Sequence, residues 1–218
     1  MNPTRVKVCC IKGAREADLA MRYGASALGL VSEMPSGPGI IADDEIARIA
    51  RRIPPTVSTF LLTSRDDADA IVEQLRAVGT DTVQIVDRLE HGSYGDIRRA
   101  LPNVRIVQVI HVVDESSVEE AKALAPEVNA LLLDSGNPAL AVKELGGTGR
   151  VHDWALSKRI RNAVDVPVFL AGGLRAENVA EAIRAVEPFA VDLCSGVRTS
   201  DNLDEEKLAA FFKAVVAA

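Results

Sequence analysis

Apolar residues gather in eight short runs along the chain, at residues 6–11, 27–31, 57–62, 82–86, 105–111, 130–134, 166–171 and 190–194. Most are continuous rather than alternating, as expected of strands buried on both faces. Between them, apolar positions recur at helical spacing over 14–23, 43–52, 66–78, 116–125, 153–163, 176–186 and 204–216, with a shorter stretch at 94–100. Ser116-Ser-Val-Glu119 has the form of a capping box, and Asp43 and Asp153 stand where helix caps are expected. Eight strand–helix alternations with no dividing linker predict an α/β fold, one (β/α)8 TIM barrel over residues 1–218. An open doubly wound sheet is the alternative architecture, but the chain carries no dinucleotide fingerprint.

Two of the runs end in small-residue turns. Phe169-Leu-Ala-Gly-Gly-Leu174 is the seventh strand and its turn, and Val191-Asp-Leu-Cys-Ser-Gly-Val197 is the eighth. Two such units near the C-terminus of a barrel are where this architecture holds a phosphate. Glycine lets backbone N–H groups come close to an anion. Gly172, Gly173, Ser195 and Gly196 are therefore candidate phosphate-binding positions. The segment Gly146-Gly-Thr-Gly149 follows the sixth strand on the same side of the barrel. The longest low-propensity stretch after a strand is 32–41, with Met34-Pro-Ser-Gly-Pro-Gly39 at its centre.

Composition narrows the classes. At 218 residues the chain is near the lower size limit of such a barrel. A 48% hydrophobic content supplies a large core, and 26% charged residues argue against disorder. The net charge of −6 disfavours nucleic acid and acidic membranes as partners. No apolar run reaches membrane-spanning length, and the first residues lack the apolar core of a signal peptide. Three cysteines, two of them the neighbours Cys9 and Cys10, form neither a secreted disulfide framework nor a zinc pattern. A soluble cytoplasmic chain with reduced thiols is expected, as a monomer or homodimer. His91, His111 and His152 are scattered, so no spacing suggests a metal site, and each histidine reads as structural or solvated.

Two residues stand out for chemistry. Alternation along the first strand places Lys7, Cys9 and Ile11 on one face and Val6, Val8 and Cys10 on the other. Cys9 then points into the barrel mouth, although a small buried hydrophobe is the alternative reading. Asp134 closes Leu131-Leu-Leu-Asp134, and a carboxylate there is costly unless paired or used. It suits a general acid; the alternative is a cap on the turn at 135–137. Asp192 shares a face with Cys194 and reads as an inward polar residue. Lys12, Arg88 and Arg198 lie just past strand ends, within reach of an anion, with surface solvation the default for each.

Taken together, Lys7-Val-Cys-Cys-Ile11, Leu131-Leu-Leu-Asp-Ser135, Gly146-Gly-Thr-Gly149, Asp153-Trp154, Leu170-Ala-Gly-Gly-Leu174, Glu177-Asn-Val179 and Asp192-Leu-Cys-Ser-Gly-Val197 resemble the phosphoribosylanthranilate isomerase family. The similarity runs nearly the whole length and is densest from 131 to 197. It implies a (β/α)8 barrel of tryptophan biosynthesis and an aldose–ketose isomerase, an intramolecular oxidoreductase. The reaction is an Amadori rearrangement, which turns a phosphoribosyl amine into a 1-amino-1-deoxyketose 5-phosphate without metal or cofactor. By this resemblance Asp134 matches the general acid that opens the sugar ring. Cys9 matches the general base that takes the C2 proton, a role that needs a thiolate and is favoured by a nearby ammonium or positive dipole. Gly172, Gly173, Ser195 and Gly196 would bind the 5′-phosphate, and Gly147, Thr148 and Gly149 would shape the loop over the sugar.

The chain departs from the family pattern in four places. The family's Ser-Pro-Arg after the second strand, whose arginine is expected to meet the anthranilate carboxylate, is here Ser36-Gly-Pro-Gly39. The Gln-Leu-His-Gly of the fourth strand is Gln84-Ile-Val-Asp87. The glycine after the cysteine is Cys10, and the glutamate after Ser-Gly-Val is Arg198. Arg198, Arg88 and Lys12 are candidate replacements for the lost arginine. Two other readings stay open on these residues: an isomerase of the same barrel acting on a different phosphoribosyl amine or phosphosugar, and a non-catalytic phosphosugar-binding protein.

Overall fold

Strands whose side chains are apolar on both faces need cover on both, and here the sheet closes on itself. In the computed structural model, which describes residues 4–136 and 152–218, eight parallel strands form a closed barrel in chain order. They are β1 (Arg5–Val8), β2 (Ala27–Val31), β3 (Ser58–Thr63), β4 (Thr82–Ile85), β5 (Arg105–His111), β6 (Ala130–Asp134), β7 (Val168–Leu170) and β8 (Ala190–Leu193). β1 pairs with β8 in the register Lys7 to Asp192, which closes the ring. The helices α1 (Ala14–Arg22), α2 (Asp43–Ala50), α3 (Ala68–Val78), α4 (Tyr94–Ala100), α5 (Ser116–Leu124), α6 (Trp154–Ala163), α7 (Val179–Val186) and α8 (Glu205–Val216) follow the strands. A short antiparallel pair, β9 (Arg198–Thr199) and β10 (Asn202–Leu203), lies between β8 and α8.

The core has two compartments. Outward-facing Val6, Leu28, Leu61, Val83 and Leu131 pack with helix residues such as Ile46, Ile71 and Ile183 between sheet and helices. Each fully buried side chain of this kind contributes about 2 kcal/mol. Inward-facing Ala27, Phe60, Val107, Ala130, Phe169 and Ala190 fill the barrel. Phe60 and Phe169 meet edge to face with centroids 5.7 Å apart. Nearer the strand C-termini the buried side chains turn polar, with Lys7, Gln84, Asp134 and Asp192 all enclosed. That change from oil to charge marks the functional end.

Three local expectations need correction. The predicted first strand, 6–11, stops at Val8, because Cys10 adopts a left-handed backbone with φ of 62°. This breaks the two-residue alternation. Cys10 turns toward the mouth, and Ile11 joins the outer core instead of sharing a face with Cys9. Asp43 is not a cap; it lies in the first turn of α2 and accepts from Gln74 Nε2 at 3.0 Å. At α5 no capping box forms. Asp114 takes its place, accepting from the Ser116 N–H at 2.8 Å and from its hydroxyl at 2.6 Å. Asp153 does cap α6, through the Ala155 N–H at 2.7 Å.

Candidate active site

The C-terminal mouth of the barrel holds a cavity with about 660 Å³ of empty space, including its open entrance. Cys9, Asp134, Gly172, Gly173 and Ser195 all line it. So five of the proposed positions meet in one place, from β1, β6, β7 and β8. Gly196 is adjacent but packs elsewhere: a Cβ there would lie 2.1 Å from the Leu174 carbonyl oxygen. It is a glycine because the two phosphate-type turns abut backbone to backbone. Gly147, Thr148 and Gly149 lie outside the described residues.

Each of these side chains is fixed by its strand. The Cys9 N–H donates to the Leu193 carbonyl at 2.8 Å, continuing the β1–β8 ladder by one residue. Asp134, at the end of β6 and buried, accepts the Ser135 N–H at 2.7 Å and faces the cavity. One carboxylate therefore both accepts a main-chain N–H and lines the cavity. Gly172 and Gly173 both have left-handed backbones, with φ of 83° and 62°. Their turn is braced from below by Asn178, whose side chain donates to the Gly173 carbonyl at 3.1 Å and accepts the Arg175 N–H at 2.9 Å. This is why α7 starts at Val179 rather than near 176. Among the described residues, no carbonyl accepts the N–H groups of Gly172, Gly173, Ser195 or Gly196.

Beneath the mouth sits an ion pair that sequence reasoning did not pair. Lys7 is wholly buried, and its Nζ donates to Asp192 Oδ2 at 2.9 Å. Burial opposes its charge, yet Asp192 and the Cys9 sulfur hold the ammonium above its ordinary range. Burial moves the Asp192 carboxyl up against the pull of Lys7. The other carboxylate oxygen, Oδ1, is buried without a hydrogen-bond partner among the described residues, and the residue lines the cavity. Burial likewise pushes the Cys9 thiol up to about 11, with Lys7 pulling it down.

The rest of the lining is mostly apolar. Val31, Met34, Pro38, Leu62 and Val86 form one wall, with Gln84 behind them. The 32–41 loop contributes Met34, Ser36, Gly37 and Pro38 directly to the site. It packs at Gly39 against the turn after β1, where a Cβ would come 2.4 Å from that of Cys10. Among the described residues no lysine or arginine lines this cavity. Lys12 is paired with Asp201 at 2.8 Å and Arg88 with Glu120 at 3.3 Å.

Arg198 corrects the expectation of a solvated surface residue. It is 8% exposed, donates to both Glu16 oxygens at 2.9 Å and also to the Cys10 carbonyl. Glu16 accepts as well from the N–H groups of Lys12 and Leu203 at 2.9 and 3.0 Å. This network ties α1, the end of β1 and the turn after β8 together beneath the site. Burial alone would raise the Glu16 carboxyl, but Arg198 and the two N–H donors hold it below its ordinary 4.5. A lowered carboxyl stabilises the fold fully above its unfolded value and loses that contribution as pH falls through the folded one. Glu16→Gln is expected to cost about 3 kcal/mol at neutral pH, by stranding a buried guanidinium. Urea unfolding at pH 7 checks it, and the difference from the wild type should shrink below the ordinary glutamate range.

The thiols also differ from expectation. Cys10 and Cys194 are joined in a disulfide with Cα atoms 5.9 Å apart, and Cys9 is the free cysteine. The two partners are 184 residues apart in sequence, so spacing gave no sign of them. His152 is half-buried, with Nε2 2.7 Å from the Ser157 hydroxyl and Nδ1 against the Gly172 turn, without a partner among the described residues. His111 is buried, its Nε2 3.0 Å from the Val86 carbonyl. Asp66, Glu90 and exposed His91 bring ligand-type atoms within 4.8 Å of one another on the rim, from two loops whose approach no spacing could signal.

Comparison with known proteins places this geometry. The family model for N-(5′-phosphoribosyl)anthranilate (PRA) isomerase matches residues 6–214. N-(5′-phosphoribosyl)anthranilate isomerase 2 of Methanosarcina mazei is 37% identical over 203 residues, spanning 93% of this chain and 89% of that protein. The crystal structure of phosphoribosyl anthranilate isomerase from Thermotoga maritima superposes with a TM-score of 0.82 at 28% identity, over 99% of this chain and 100% of that one. A phosphoribosyl anthranilate isomerase in complex with reduced 1-(o-carboxyphenylamino)-1-deoxyribulose 5-phosphate matches with a TM-score of 0.79 at 26% identity, over 99% and 100% of the two chains.

Proposed function

The chain belongs to the phosphoribosylanthranilate isomerase family, and we propose that its barrel mouth carries out the family's Amadori rearrangement with Asp134 as acid and Cys9 as base. The observation that carries this reading is the meeting of both residues with the Gly172–Gly173 and Ser195 turns in one cavity. The enzyme is an isomerase of tryptophan biosynthesis. Asp134 gives its proton to the ribose ring oxygen, the C1–O bond breaks, and the nitrogen lone pair forms an iminium. Cys9, as thiolate, takes the C2 proton, and the C2–H electrons neutralise the iminium to an enolamine. Cys9 returns its proton to C1 as the C2 hydroxyl gives up its own, which restores the Asp134 carboxyl, and the C2 carbonyl of the aminodeoxyketose phosphate forms. No redox partner is needed, because C1 is reduced as C2 is oxidised.

The 5′-phosphate takes the N–H groups of Gly172, Gly173, Ser195 and Gly196, with Gly147, Thr148 and Gly149 assigned to the sugar by the resemblance alone. Asp192 Oδ1, buried and unpartnered among the described residues, fits a ribose hydroxyl as its missing donor. The aromatic ring fits the wall of Val31, Met34, Pro38, Leu62 and Val86. The neighbour crystallised with a carboxyphenylamino ribulose phosphate supports this division into an anionic end and an aromatic end.

One barrel domain over 1–218 acts on a small phosphorylated sugar amine, in the cytoplasm. Among the described residues no helix is long and apolar enough to cross a membrane. A structurally similar isomerase from Thermotoga maritima is described as dimeric, which keeps a homodimer beside the monomer for this chain. Nucleic acid is not assigned as a partner.

Consumption of phosphoribosylanthranilate, followed by loss of its fluorescence, tests the function. Turnover by the wild type is expected; a folded protein that binds phosphate without turnover sinks the reading. Gly196→Ala tests the phosphate cradle. A methyl group 2.1 Å from the Leu174 carbonyl must push the two turns apart. The expected cost is about 2 kcal/mol in stability, with weaker protection by inorganic phosphate in thermal unfolding. Protection equal to the wild type would remove the abutting turns from the account.

A further inference from the structure

The proposed base has an unfavourable setting for its task. Cys9 is buried, and burial pushes its thiol up to about 11. A thiol is a poor base, so the site needs something that stabilises the thiolate. On its own strand, Lys7 is two residues away and on the same inward face. From β8 comes Asp192, whose charge opposes a thiolate, and from β6 Asp134, which lines the same cavity. Gly29 of β2, Leu62 of β3, Gln84 of β4 and Ala171 just after β7 bring no charge. His111, at the end of β5, is engaged with the Val86 carbonyl. Among the described residues Lys7 is thus the positive group beside the sulfur.

The packing leaves room for this contact. Gly29 stands across from both groups, and a Cβ there would lie 2.6 Å from Cys9 Sγ and 3.2 Å from Lys7 Nζ. Any other residue would wedge the thiol and the ammonium from the β2 side. Lys7 is held from the far side by Asp192 at 2.9 Å, and its Nζ lies 5.2 Å from the centre of the Phe60 ring below. Such enclosure leaves the ammonium few places to go. A fully buried lysine is a costly core filler, since a leucine or methionine would fit the strand without a charge to desolvate.

We propose that Lys7 is a positioning residue for the reaction: its ammonium, braced by Asp192 and admitted by Gly29, stabilises the Cys9 thiolate that takes the C2 proton. The proposal rests on Cys9 being the base, but its test does not. The readout is alkylation of Cys9 by iodoacetamide in the free protein, where the thiolate displaces iodide and a C–S bond forms. Tandem mass spectrometry of the peptide separates Cys9 from Cys10. In Lys7→Met the alkylation rate at mildly alkaline pH is expected to fall about tenfold or more, since a neighbouring opposite charge moves such a group by at least about one unit. The kcat for phosphoribosylanthranilate falls with it, and KM changes little.

Lys7→Met strands the Asp192 carboxylate, so a second variant separates loss of the ammonium from loss of the fold. The double variant Lys7→Met/Asp192→Asn removes both buried charges and keeps the shapes. Its alkylation is also expected to be about tenfold slower than that of the wild type, because Lys7 acts on Cys9 more strongly than Asp192 does. Wild-type alkylation rates in a folded double variant would overturn the proposal, and would leave Lys7 as a neutraliser of Asp192. If instead Asp134→Asn keeps full turnover while alkylation slows as expected, the fault lies with the proposed function and not with Lys7.

Discussion

Asp134→Asn is expected to lower kcat for phosphoribosylanthranilate by about 10³-fold, within the range that a positioned acid contributes. The substitution keeps size and hydrogen-bonding reach, so the new side-chain amide oxygen still accepts the Ser135 N–H, which the carboxylate now holds at 2.7 Å. The Val112 N–H bond to the main-chain carbonyl of residue 134, at 2.9 Å, does not involve the side chain at all. The fold therefore has little reason to change, and KM should stay close to that of the wild type. What the amide lacks is a proton it can give to the ring oxygen. Loss of activity with an unaltered melting temperature and unaltered phosphate protection places the defect in the chemical step. Equal loss of phosphate protection would mean a collapsed mouth instead.

Cys9→Ala is expected to lose kcat on the same scale, about 10³-fold. Its structural cost is small by comparison. The Cys9 N–H to Leu193 bond is made by the main chain, and alanine keeps the Cβ and loses only the sulfur. The variant differs from Asp134→Asn in its thiol chemistry: the free cysteine is gone, while the Cys10–Cys194 disulfide remains. Wild-type Cys9 should react with alkylating agents faster as pH rises toward 11, about tenfold per unit while the thiol form dominates. Protection of Cys9 from alkylation by substrate or product would place the sulfur at the reacting carbons. Retained turnover in Cys9→Ala would pass the base role to another group.

How far the sequence went depends on the range of the interaction. Strands β2, β5 and β6 occupy the residues that their apolar runs predicted, because a continuous run flanked by polar turns leaves little freedom. The ends of β1 and β7 were predicted too long. At β1 the reason is the left-handed Cys10, a position the family fills with glycine, and no periodicity reveals a residue that takes φ of 62° against its own preference. The proposed acid and base and the glycine turns were legible because each sits at a strand end in a short local motif. The Lys7–Asp192, Cys10–Cys194 and Arg198–Glu16 contacts were not. Each joins the first βα unit to the last, 182 to 185 residues apart, and exists only once the barrel closes.

The Ser-Pro-Arg arginine has no counterpart among the three candidate replacements. None of Arg198, Arg88 and Lys12 took its place at the cavity. Arg198 instead bonds to Glu16 and to the Cys10 carbonyl, so two departures from the family pattern, at positions 10 and 198, touch each other. The β1–β8 side of the mouth carries a disulfide and a buried guanidinium, while Val31, Met34, Pro38, Leu62 and Val86 line the cavity with apolar surface.

The most direct measurement is the loss of phosphoribosylanthranilate fluorescence with the wild type and with the Cys9→Ala/Asp134→Asn double variant, side by side. The expected result is consumption by the wild type and none above the uncatalysed rate by a double variant that is folded and still protected by inorganic phosphate. Consumption by that double variant at the wild-type rate would contradict the account.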